Sequence, residues 1–144
     1  MSSSSSFYKV VNPTPDTQPA LYQELATATN ALNADLAAYT VVNDTWAANV
    51  TINWDLANLH RITLTGSTCN LLFTGGKDGE KLTLEVTQDA TGNRTAVFPS
   101  NVRYSTLLPA ITLTTTPNRM DKLGFMYNAA TNTYDLVAFV YGYI

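Results

Sequence analysis

A chain of 144 residues is about one domain and is long enough to bury a core without a metal or disulfide staple. Charged residues make up only 13% and the net charge is −3, with the Lys and Arg residues scattered rather than clustered; this argues against a nucleic-acid partner. Thr and Asn replace the missing charges. Such a surface suits the wet face of a sheet, and it equally suits broad contact with another protein, where desolvating charges is costly.

Ser2 to Ser6 is a serine run that cannot pack, and the apolar patch Phe7-Tyr8-Lys9-Val10-Val11 follows it directly. Pro13 and Pro15 bias their predecessors away from helix. Residues 1–18 therefore read as an extended arm, with Phe7, Tyr8, Val10 and Val11 as candidate docking residues. No basic segment followed by an apolar core opens the chain, so no signal peptide is expected and synthesis in a cytoplasm is. No apolar run approaches the ~18 residues of a membrane helix.

Asp16 or Thr17 can cap a helix, and Pro19 fits its first turn. The spacing predicts one α-helix over 19–39. Leu21, Leu25, Ala28, Leu32 and Leu36 form one apolar stripe. That stripe can lie on the chain's own sheet or line a symmetry axis with copies of itself. Leu21, Leu25, Leu32 and Leu36 are the candidate subunit contact.

From residue 40 the pattern is strand. Trp46, Ala48, Val50, Ile52 and Trp54 alternate with polar neighbours, as do Ile62 with Leu64 and Leu82, Leu84 with Val86. Gly75 to Gly79 is a glycine-rich turn. The segments 80–88 and 94–98 read as a hairpin across Asp89-Ala90-Thr91-Gly92-Asn93. Ile111 to Thr115 alternates again, and a last hairpin turns over 128–133. About eight or nine short strands with turns every ~8–12 residues predict an antiparallel β-sandwich or jelly roll over 40–144.

No chemistry stands out. His60 is the only histidine and Cys69 the only cysteine. Cys69 lies in an apolar strand and reads as a small buried hydrophobe. Asp55, Asp78 and Glu80 are the nearest approach to an acid pair, but nothing in their spacing joins them. The expectation is no catalytic residue, no cofactor and no metal. Trp46 and Trp54 fall on the alternating apolar face and read as core. Tyr104 is the best exposed aromatic and a candidate glycan contact. Tyr134, Tyr141 and Tyr143 read as cover for the sheets or for a subunit contact. The Asn-x-Thr triplets at Asn43, Asn49 and Asn93 are expected to be coincidences of an Asn- and Thr-rich chain.

Several runs over residues 49–144 carry a likeness. They are Asn49-Val50-Thr51-Ile52-Asn53-Trp54; Thr63-Leu64-Thr65-Gly66; Thr87-Gln88-Asp89-Ala90-Thr91-Gly92-Asn93-Arg94-Thr95; Phe98-Pro99-Ser100-Asn101-Val102-Arg103; Thr114-Thr115-Thr116-Pro117-Asn118; and Asp121-Lys122-Leu123-Gly124-Phe125-Met126-Tyr127. They resemble the β-sandwich modules of tailed-bacteriophage virion proteins: capsid decoration proteins, tail fibres and tail spikes. The resemblance implies a trimeric protein on the virion surface, with capsid or tail subunits as partners; with no catalytic constellation in the residues, a non-enzymatic structural role is expected. Only an arm and one helix precede the module, which favours a small decoration or cement protein docked through its arm. The alternative is a receptor-binding tail component that recognises a host surface glycan.

Overall fold

The computed structural model describes residues 18–37 and 40–144. The arm and its docking candidates Phe7, Tyr8, Val10 and Val11 lie outside the described residues. The chain divides after Ala37 into two units. The first contains helix α1 (Gln18–Ala37). Between Ala20 and Leu32 its side chains are exposed, apart from half-buried Leu21. Leu25 and Leu32 are among the exposed ones, and the side chain of Leu36 is outside the described set. Thr27 and Thr29 donate their hydroxyls back to the carbonyls of Gln23 and Leu25, so neither leaves a free polar group on the helix.

The second unit is mainly β. Its strands are β1 (Val41–Asp44), β2 (Asn49–Asn53), β3 (Leu59–Leu64), β4 (Thr68–Thr74), β5 (Lys81–Gln88), β6 (Thr95–Val97), β7 (Val102–Arg103), β8 (Met120–Asn128) and β9 (Thr133–Tyr143). They form a six-stranded sheet in the order β1-β3-β5-β8-β9-β7 and a three-stranded sheet in the order β2-β4-β6. The first six strands alternate between the two sheets, so each return of the chain adds one strand to each. Val41 pairs with Leu59 and Leu59 with Thr83 in the large sheet; Val50 pairs with Leu71 and Asn70 with Val97 in the small one. The chain is wound as a parallel coil, then closed by the antiparallel strands β8 and β9.

This differs from the antiparallel ladders that the sequence suggested. Among the described residues antiparallel pairing occurs only at β5–β8 and β8–β9, whereas the other five pairings are parallel. Residues 80–88 and 94–98 are not a hairpin, because β5 and β6 belong to different sheets. The Asp89–Asn93 turn is instead a corner that carries the chain from one sheet to the other. Ile111, Thr112 and Leu113 are half-buried, exposed and half-buried in turn, but Thr114 is half-buried as well, and the segment pairs with no strand of the described chain. The physical reason is that a period of two fixes which side chains face inward and says nothing about the direction or identity of the neighbouring strand.

The inward positions meet in one core. Val50 and Ile52 of β2, Leu71 and Phe73 of β4, Ile62 and Leu64 of β3, and Leu82, Leu84 and Val86 of β5 are all buried in it. Aromatic rings join its layers. Phe73 packs edge-on to Trp54, Phe125 and Tyr134 with centroids 5.4, 5.3 and 5.2 Å away. Trp54 is thus core, as its alternation predicted, and Cys69 is fully buried. Trp46 packs over Gly66, where any Cβ would fall 2.0 Å from its ring, so the indole and the missing side chain fit as a pair.

Candidate functional site

The polar residues buried among these strands hold backbone in place. His60 lies on β3 with its ring fully buried. Its Nδ1 is 2.8 Å from an Asp44 carboxylate oxygen on β1, and its Nε2 is 3.1 Å from the Asn53 carbonyl. The ring therefore ties β1, β2 and β3 together, with Trp54 edge-on at 4.9 Å. Among the described residues no hydroxyl or thiol is bonded to it, so no nucleophile accompanies the pair there. Asp55, Asp78 and Glu80 each accept from a different loop N–H: Gly76 at 3.0 Å, Ala129 at 2.9 Å and Lys77 at 2.8 Å. They are caps of separate turns rather than an acid pair. Among the described residues no group of three or more His, Cys, Asp or Glu is placed to hold a metal. Burial pushes the Cys69 thiol up, away from the reactive thiolate.

The run from Thr87 to Thr95 acquires a structural meaning. The Gln88 side chain donates to the Arg94 carbonyl and accepts from the Arg94 N–H, both at 2.9 Å. Asp89 accepts from the N–H groups of Thr91 and Gly92 and forms a two-pronged pair with the Arg94 guanidinium. That pairing, helped by the two backbone donors, holds the Asp89 carboxyl below its ordinary range. Gly92 and Asn93 adopt positive φ of 70° and 56°, which the tight corner requires. The second run, Thr114 to Asn118, docks on this corner: Asn93 N–H donates to the Thr115 carbonyl and Asn118 N–H to the Asp89 carbonyl. Two of the stretches that carry the resemblance are therefore two sides of one corner.

On the outer face of the large sheet, Glu85 lies between Arg61 and Lys122 on the flanking strands. Burial raises its pKa, but bonds to Arg61 and Lys122 outweigh that and hold it below the usual range. The Lys122 ammonium also sits 5.2 Å from the centre of the Tyr143 ring.

A cleft of about 830 Å³ lies between the end of β9 and the segment 110–116. Ala110, Thr112 and Leu113 form one wall; Phe139, Tyr141 and Gly142 form the other. Asp121 bolts the walls together. It sits on β8 at an inward position beside Leu123 and Phe125 and is only 2% exposed. One carboxylate oxygen accepts from Thr114 N–H at 2.6 Å, the other from Gly142 N–H at 2.9 Å. Sequence reasoning missed this residue, although its signal was present: a charge at a core-facing position of an alternating strand.

Tyr104 is 43% exposed, as expected of a surface aromatic. It lines a smaller depression with Arg103, Ser105, Asp135 and Leu136. No second aromatic ring lines that depression, and Arg103 is engaged by Asp135. Tyr134 is buried and donates its hydroxyl to the Gly75 carbonyl at 2.7 Å. Its pKa is pushed up to about 12, chiefly by burial. Tyr141 is 70% exposed at the rim of the cleft. No described helix is long and apolar enough to cross a membrane.

No protein-family model matches the chain, and no curated protein matches it either.

Proposed function

We propose that this chain is a non-enzymatic structural protein of a bacteriophage virion: a small homotrimeric decoration protein on the virion surface, docked through its arm. The observation that carries this reading is the use of the buried polar groups. His60, Glu85, Gln88 and Asp121 are buried, and each is engaged in holding strands or corners together. A scaffold that directs its polar groups inward in this way serves shape rather than turnover. The outer face of the small sheet adds support. Asn49, Thr51, Asn70, Leu72, Thr95 and Val97 lie there without a charge, a surface that can be covered by another protein at low desolvation cost. We read the two sheets across one core as a β-sandwich in cross-section, wound rather than joined by hairpins. For the trimer, exposed Leu25 and Leu32 on α1 supply an apolar stripe that copies can share.

Light scattering of the purified protein at micromolar concentration tests the assembly, with three times the chain mass expected and a monomer mass overturning it. Decoration is tested by adding the protein to particles that lack it, where saturable, salt-resistant binding is expected. The receptor-binding alternative rests on the exposed ring of Tyr104. Glycan binding that Tyr104→Ala abolishes would favour it.

A further inference from the structure

The chain has four arginines, and three of them are held by carboxylates: Arg61 by Glu85, Arg94 by Asp89 and Arg103 by Asp135. Arg119 is the exception. It is half-buried, it lines the cleft beside the end of β9, and its guanidinium has no partner among the described residues. A cation in that position has lost part of its hydration and gained no counter-charge. No carboxylate and no second cation lines the cleft with it. Asp121 lies buried behind the walls, with its two oxygens occupied by the Thr114 and Gly142 N–H groups. Those bonds draw the walls together, so the cleft is a shallow trough and what it receives is small. The rest of the lining suits a hydroxyl-rich ring. Thr112, Thr115 and Thr116 bring hydroxyls, which both donate and accept, and the buried Thr114 hydroxyl has no partner among the described residues. The main chain of 110–113 adds N–H and C=O groups that no described residue matches. On the other wall the Tyr141 ring is 70% exposed and braced by Phe139, with centroids 5.8 Å apart. A volume of about 830 Å³ is within the roughly 300–1,000 Å³ of small-ligand sites.

We infer that this trough binds an acidic sugar residue, a pyranose that carries one carboxylate. Arg119 takes the carboxylate, Tyr141 packs on the C–H face of the ring, and the threonine wall serves the ring hydroxyls. The planar fork of an arginine matches a carboxylate with two parallel bonds. One cation balances one negative charge, whereas a phosphate near neutral pH carries up to about two. A neutral sugar leaves the Arg119 guanidinium without an anion. An apolar acid leaves the threonine hydroxyls and the 110–113 main chain unmatched, and an unmatched polar group costs more than a made bond returns. The trough is built within a single chain, so the inference goes beyond the assembly reading and does not depend on it. It is also separate from the Tyr104 depression, whose Arg103 is already held by Asp135.

Titration of the full-length protein with glucuronate and galacturonate, followed through amide chemical shifts, tests it. Glucose, benzoate and inorganic phosphate are the comparison probes. At least one uronate is expected to give saturable shifts at residues 112–116 and 141–142, with an affinity at least about tenfold above that of each comparison probe. Arg119→Gln is expected to remove about tenfold or more of that affinity, and Arg119→Lys, which keeps the charge without the fork, to restore part of it. Tyr141→Ala is expected to weaken binding roughly fivefold, and Tyr104→Ala to leave it unchanged. Amide shifts of the 88–95 corner that match the parent protein show that each variant is folded. No saturable response to either uronate overturns the inference. So does benzoate or phosphate binding as tightly as the uronates, or an Arg119→Gln protein that binds as the parent does. A trimer mass without uronate binding defeats this inference and leaves the assembly reading standing; uronate binding by a monomer does the reverse.

Discussion

The segment 110–118 behaves in two ways along its length, and the contrast separates what this fold completes from what it leaves open. Its second half is clamped. The Thr115 carbonyl receives Asn93 N–H, and the Asn118 N–H reaches Asp89. The corner it rests on has its turn donors and its Arg94 guanidinium matched within the chain. Its first half, 110–113, lines the cleft with backbone groups that have no partner among the described residues. A buried or half-buried main-chain group without a partner costs free energy comparable to a lost hydrogen bond, so such groups persist where water or another chain serves them. The corner satisfies its polar groups within the chain, and the cleft edge does not.

The comparison breaks most severely if the shared core is removed. Trp54→Ala deletes the ring that touches His60, Phe73 and Phe125 and is expected to cost about 3–5 kcal/mol, read from urea unfolding. Both regions then loosen together. Asp121→Ala acts on the cleft first. It leaves the Thr114 and Gly142 N–H groups without their acceptor, at a cost of about 3 kcal/mol for the two. Faster amide exchange at those two residues, with the 88–95 corner unaffected, is the expected signature.

Gly92→Ala sharpens the other side. Its φ is 70°, and a Cβ would fall 2.6 Å from the Thr115 carbonyl oxygen, so the corner must shift. About 2 kcal/mol of destabilisation is expected. Gly79→Ala has a similar φ of 75° but open space around it, and is expected to cost about half as much. Equal costs at both sites would mean that the docking of residues 114–118 contributes nothing.

Acid separates the regions without mutation. Bonds from Arg94 and from Arg103 hold Asp89 and Asp135 below the ordinary range, and Arg61 with Lys122 does the same to Glu85 against its burial. The unfolded chain binds protons at these groups at a higher pH than the folded one. Their stabilisation is therefore complete above the unfolded values near ~4 and is lost as pH falls through the folded ones. Asp89→Asn is expected to flatten that loss in a pH series of thermal unfolding curves. The smallest effect belongs to the open wall: Thr112→Ala is expected to change stability by under about 0.5 kcal/mol, since its side chain is exposed.

Much of the chain was legible as a sequence because burial patterns are local. The inward faces of β2, β3 and β5, the core position of Trp54, the buried Cys69 and the β8–β9 turn all follow from residues within a strand's length of one another. The corner at 89–93 was legible as a turn because Asp, Gly and Asn announce one. Its sheet-to-sheet direction was not, since that depends on where the next strand finds a partner. Parallel and antiparallel neighbours demand the same alternation of side chains, and only the competition among distant edges selects between them. The cleft was invisible for the same reason. Ile111 to Thr115 carries a strand's pattern, and only the tertiary structure decided that no strand of the described chain lies beside it. Asp121 stood in the sequence as an anomaly within an apolar strand, and its role appeared once Thr114 and Gly142, far apart along the chain, were brought to its two oxygens.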